Sequence, residues 1–262
     1  MEPAVGVGPL AAGRPMVRLV REVALVAALL LLYRAGRLLG RDSVTEGFAH
    51  AVQIVRWERW LGVGTELDLQ RWVLGHRWLV MASNRYYAQV HFPVSIAFLV
   101  FMYLRRAPHY LRVRWVFALV TAVGLVGHLA YPLAPPRMLP GFVDTISRFG
   151  PAIYDRSDVA AVANQYAAMP SLHFGWAVIV AWGVISTGRS PWRWLLVVHP
   201  VATLFAIVAT ANHYWADPFV AGVLVALAIP VTTRFAATDG GEASSAEVRW
   251  AAAAGTACQL PR

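Results

Sequence analysis

The chain contains no lysine; all 23 of its basic residues are arginine. Charge of either sign is scarce, at 14% of 262 residues, where a soluble domain carries about 25%. With 58% hydrophobic residues, that deficit excludes an ordinary water-soluble domain and points to the bilayer as solvent. The single cysteine, Cys258, excludes an internal disulfide framework and a cysteine-built metal site. It is read as an idle tail residue, with palmitoylation as the alternative. The strict alternation of a membrane barrel is missing, so membrane crossings must be helical. No internal repeat is found, and no interleaved basic and aromatic face suggests nucleic acid.

What is present is a series of long apolar runs. The first, 17–39, has an apolar centre from Val23 to Tyr33 flanked by Arg18, Arg21, Arg34 and Arg37. It has the basic start and short core of a signal peptide, but no clean small-residue cleavage site follows, so a retained span is expected. Five further runs follow at 78–104, 113–132, 172–188, 192–212 and 216–235, each near the ~20 residues that cross a hydrocarbon core. Between the first and second, residues 44–76 mix Arg56, Glu58, Arg59, Glu66, Asp68 and Arg71 with Trp57, Trp60 and Trp72. That pattern reads as one or two amphipathic helices at the membrane interface. The expected fold is therefore an all-α integral membrane bundle of six transmembrane helices, with amphipathic interfacial helices before the second span. Residues 1–15 read as a flexible tail, 16–238 as the membrane-embedded domain and 239–262 as a disordered tail.

The net charge of +9 serves topology. Arg105, Arg106, Arg112 and Arg114 crowd one turn, Arg189 and Arg193 another, and Arg14, Arg18 and Arg21 the first flank. Cytoplasmic loops carry this excess, so both termini are expected inside, in the plasma (cytoplasmic) membrane. The 40–77 segment fits least well, being arginine-rich yet assigned outside. This parity brings Arg137, His173 and His213 to the extracytoplasmic face. Ionisable groups converging at one membrane level are expensive and usually functional.

Three stretches carry the chemistry. In Met169-Pro-Ser-Leu-His-Phe-Gly-Trp-Ala177, Pro170 and Ser171 suit a helix start. Such a start is a natural phosphate site, with His173 one turn in; the bland alternative is a cap and a core histidine. In Ala211-Asn-His-Tyr-Trp-Ala-Asp-Pro-Phe-Val-Ala-Gly222, His213 and Asp217 are spaced to share a helix face. An Asp on Nδ1–H fixes the tautomer and frees Nε2 as nucleophile or base; Asp217 before Pro218 also suits a cap. In Tyr131-Pro-Leu-Ala-Pro-Pro-Arg137, a stiff loop presents Arg137, which can clamp phosphate oxygens or meet lipid headgroups. Two histidines and one aspartate are thin for zinc, so neither a metal nor a cofactor is expected.

In order and spacing these stretches resemble the type 2 phosphatidic acid phosphatase superfamily. Pro170, Ser171 and His173 match its Pro-Ser-x-His motif, and His213 and Asp217 its His-x-x-x-Asp motif. The Pro-Pro-Arg element, the His-Tyr-x-x-Asp form and Asn84-Arg-Tyr-Tyr-Ala-Gln-Val-His-Phe-Pro93 look most like the inositolphosphotransferase branch, the inositol phosphorylceramide synthases. The likeness covers roughly 50–232. It implies a six-helix membrane fold and a metal-free phosphohistidine mechanism on a lipid phosphate ester. His213 would attack phosphorus, Asp217 would orient it, His173 would protonate the leaving alkoxide, and Ser171 and Arg137 would hold phosphate oxygens. His91 and Tyr214, inside matching stretches, become candidate substrate-pocket residues. The chain departs from the superfamily in having Ile207 where an arginine precedes the nucleophile by six residues, and no lysine in the first motif. That favours a transferase-like branch or a phosphodiester donor, with a simple phosphatidate or polyprenyl phosphate phosphatase as the alternative, and weighs against a haloperoxidase. His128 and His199 read as buried structural residues. A transporter would spread polarity along broken, repeated spans, and a scaffold would tolerate loss of both site histidines.

Overall fold

Apolar segments in a bilayer must satisfy their own backbone groups, and every apolar run described here does so as helix. The computed structural model describes residues 44–149 and 165–233, with scattered positions between 20 and 31. The tails expected at 1–15 and 239–262 lie outside the described residues.

Helices α1 (Val44–Trp60) and α2 (Glu66–Leu74) come first. They are the amphipathic pair expected before the second span, and Trp57, Trp60 and Trp72 all lie exposed on them. Next, α3 (Arg77–Arg85) runs through a five-residue π turn, Tyr86–Val90, into α4 (His91–Arg105). Helix α5 spans Ala107–Ala130, α6 Leu172–Thr187 and α7 Val198–Ala209, the last entered through a 3-10 segment from Pro191. Helix α8, Ala216–Thr233, closes the described part. Among the described residues there is no strand, only an isolated bridge between Leu133 and Ala167.

Four helical stretches are long and apolar enough to cross a membrane: Arg77–Arg105, His109–Ala130, Pro191–Ala209 and Ala216–Thr233. The fifth apolar helix, α6, is shorter at 16 residues. The chain is thus a multi-pass integral membrane protein. Most of the first expected span lies outside the described residues. Within it Glu22 accepts hydrogen bonds from Arg114 Nη1 at 2.7 Å and the Tyr110 hydroxyl at 2.8 Å, which ties it to the start of α5.

Phe98 and Met102 of α4, Val116 and Val120 of α5, Ile179 of α6 and Val225 of α8 interlock as the main core. Between helices in lipid, van der Waals packing replaces the hydrophobic effect, so small residues mark the close approaches. Gly124 and Gly127 of α5 face the start of α6: a Cβ at Gly124 would lie 2.5 Å from Leu172 Cδ2, and one at Gly127 3.1 Å from Pro170 Cδ. These two glycines set how near α5 lies to the residues preceding His173. At the far end of α6, Arg106 Nη1 donates to the Thr187 carbonyl at 3.2 Å, so the arginine-rich turn sits opposite the His173 end.

Candidate active site

The end of α7 builds the site. Ala211 takes φ 53°, the left-handed conformation that usually falls to glycine after a helix. The Ile207 carbonyl accepts both Asn212 N–H at 3.0 Å and His213 N–H at 3.2 Å. This reversal folds 211–215 back over the helix end. Ile207 itself is fully buried, so no cation stands at the place where the superfamily has its extra arginine.

His213 is 5% exposed. Its Nδ1 lies 2.9 Å from the Ala168 carbonyl and 3.1 Å from Asp217 Oδ2. Two acceptors on one nitrogen place the proton on Nδ1 and leave the Nε2 lone pair free. Burial, with the Arg137 charge adding to it, holds the imidazole neutral by pushing its pKa down to about 3, against the opposing bond to Ala168. Asp217 Oδ2 also accepts Tyr214 N–H at 3.0 Å, so the carboxylate both fixes the histidine and caps the loop.

Ser171 is the N-cap of α6 and accepts Phe174 N–H at 3.4 Å. Its own N–H donates to the Asp217 carbonyl at 3.2 Å, stitching the start of α6 to the start of α8. His173 follows, its ring centroid 6.2 Å from that of His213. Arg137 sits on a 3-10 turn, Pro136–Met138. Its N–H donates to the Ala211 carbonyl at 2.8 Å and its Nη1 to Asn212 Oδ1 at 2.6 Å, while Nε lies 3.8 Å from Asp144 Oδ2. The structure therefore gathers Arg137, Ser171, His173, His213 and Asp217 at one end of the bundle.

The two expected pocket residues part ways. His91 follows the π turn, 4.7 Å from His173 between ring centroids; it is 1% exposed and its Nδ1 has no partner. Tyr214 is instead a packing residue. Its hydroxyl donates to the Ala134 carbonyl at 2.8 Å, and its ring lies among Ala51, Ile54 and Leu133. Of the two histidines read as structural, His128 Nε2 lies 2.9 Å from the Pro170 carbonyl and His199 Nδ1 2.6 Å from the Tyr86 hydroxyl.

The sequence did not single out the Ala168 carbonyl, Asn212, or Tyr87, whose ring stacks on His173 at 4.3 Å. Asn212 and Tyr87 adjoin marked residues, which is the one signal that could have found them. Among the described residues, no group of three His, Cys, Asp or Glu side chains is placed to hold a metal ion.

The structure thus sets two histidines, one of them held by an aspartate, together at one end of a multi-pass helical bundle. A family model described as PAP2 superfamily matches residues 52–232, and the chain belongs to that superfamily, the lipid phosphatases and phosphotransferases. Comparison with curated proteins and with solved structures gives no match.

Proposed function

We propose that this protein cleaves a lipid phosphodiester through a phosphohistidine on His213 and passes the phospho-headgroup to an alcohol. The observation that carries the reading is the His213 geometry, with Nδ1 held by Asp217 and Ala168 and Nε2 unencumbered beside His173. In the first step the Nε2 lone pair forms a bond to phosphorus, the P–O bond to the lipid alcohol breaks, and His173 gives its proton to the departing alkoxide. In the second, an acceptor hydroxyl loses its proton to His173, its oxygen bonds to phosphorus, and the P–N bond to His213 breaks. Arg137 and the Ser171 cap hold the non-bridging oxygens. A site with a buried Ile207 and one clamping arginine suits the single charge of a diester better than the near-double charge of a monoester.

Two further features fit a lipid donor and an acceptor alcohol. An apolar groove of about 470 Å³, lined by Phe174, Leu204, Trp215, Phe219 and Val223, takes in residues next in sequence to the site's own stretches and suits an acyl chain. His91, its ring centroid 4.7 Å from that of His173 and its Nδ1 without a partner, offers a polar atom to the acceptor's hydroxyl. Arginine placement supports an extracytoplasmic orientation for this site.

Purified protein supplied with headgroup-labelled phosphatidylinositol and an acceptor lipid alcohol should form a new labelled phosphodiester lipid, unaffected by chelator. Release of free phosphate from phosphatidate alone would assign the simple phosphatase instead. Asn212→Ala removes the hydrogen bond that aims Arg137. Bonds to charged groups contribute about 1.5–3 kcal/mol, so kcat/KM should fall about 10–100-fold. An unchanged kcat/KM would remove Arg137 from phosphate binding.

A further inference from the structure

Glu58 and Glu66 stand out among the charged residues of the interfacial helices. They come from the last turn of α1 and the first of α2, yet are 3% and 5% exposed. Such residues are almost never fully buried without a task. Their partners explain the burial. Glu58 Oε1 accepts Ala216 N–H at 2.7 Å, and Glu66 Oε1 accepts Trp215 N–H at 3.2 Å. These N–H groups belong to the start of α8, which has no other backbone partner to offer them. With Tyr214 N–H held by Asp217, three consecutive amides are each held by a carboxyl oxygen. Asp217 must aim back at His213 from that same turn.

We propose that Glu58 and Glu66 are positioning residues for the nucleophile: they hold the first turn of α8 so that Asp217 stays against His213 Nδ1. This rests on the phosphohistidine reading for its kinetic consequences. The interfacial helices then form the bracket of the site. They fix the turn that fixes the aspartate that fixes the imidazole, without touching substrate. The groups facing Glu58 are Glu66 from α2, Asp217 from α8 and Tyr214 from the loop. Burial, then the side-chain hydrogen bond with Glu66 and after it the Glu66 charge, raise Glu58 well above the usual carboxylate range. At neutral pH it is therefore a neutral acceptor, and a glutamine can replace it in both charge and hydrogen bonding.

The test compares Glu58→Gln with Glu58→Leu in the full chain. At pH 7, E58Q should keep kcat within about threefold, whereas E58L should lose about 10–100-fold in kcat with little change in KM, the effect of one unmade hydrogen bond on an aligned group. Equal loss in both variants or full activity in E58L would each overturn the proposal. Crystal structures of the two variants give a readout free of turnover. The His213–Asp217 contact, 3.1 Å here, should persist in E58Q and open in E58L, and its persistence in E58L would overturn the bracket. If the contact opens as expected while the wild type turns over no phosphodiester, the functional reading fails and the bracket stands.

Discussion

His213→Ala is expected to abolish the covalent phosphoenzyme and to cut turnover by a factor on the order of 10⁴–10⁶, the loss seen when a nucleophile is removed from a cooperating set. The expectation follows from where the proton sits. Ala168 and Asp217 both accept from Nδ1, so Nε2 carries the free lone pair. Burial keeps the ring neutral well below physiological pH, so this nucleophile needs no base to activate it. Denaturing gels after a brief pulse of phosphorus-labelled donor should show an acid-labile, alkali-stable band in the wild type and none in the variant. A persisting band would move the nucleophile elsewhere, and full turnover without a band would end the phosphohistidine mechanism.

His173→Ala should give a different and more selective defect. His173 lies beside His213, its ring centroid 6.2 Å away, and in the proposed mechanism it is the group that protonates the leaving oxygen. Loss of a general acid costs about 10²–10⁴-fold when the leaving group is a poor one such as a lipid alkoxide. A nitrophenolate leaves without a proton. The variant should therefore still give a burst of nitrophenolate from a nitrophenyl phosphodiester while failing on the lipid. The subsequent discharge of the phosphoenzyme, which needs a base for the acceptor hydroxyl, should slow, so the labelled band should build up. Equal loss on both donors would mean that His173 holds the phosphate or the fold, not the proton. Its stacking on Tyr87 makes that outcome a fair challenge.

The bundle was legible in the sequence because lipid imposes one rule on the whole chain: apolar runs become helices, and arginines mark one side. The convergence of Arg137, His173 and His213 also followed, since span parity alone places loop ends. Asp217 was found because its spacing from His213 is local. What escaped notice depends on tertiary placement. A carbonyl such as that of Ala168 has no side-chain signature. Asn212 matters only because the left-handed Ala211 turns it towards Arg137. Glu58 and Glu66 looked like ordinary polar positions on interfacial helices, because periodicity cannot tell a carboxylate facing water from one buried beneath a helix start. Tyr214 was misplaced for the opposite reason: its neighbours in sequence are site residues, but its ring fills the core between α1 and the 132–138 loop.

The length of α6 sets how the enzyme meets its membrane. Sixteen residues rise only ~24 Å, short of the ~30 Å hydrocarbon slab, whereas the neighbouring Arg77–Arg105 helix is long enough to stand proud of it. If the arginine-gripped Thr187 end lies at one headgroup layer, the Ser171–His173 end stops short of the other. The bilayer must dimple there or the headgroup must sink to reach it. A hydrophobic mismatch of that kind would sit at the proposed reaction centre, and thin, short-chain bilayers would then bring the phosphate to the histidines at the least elastic cost.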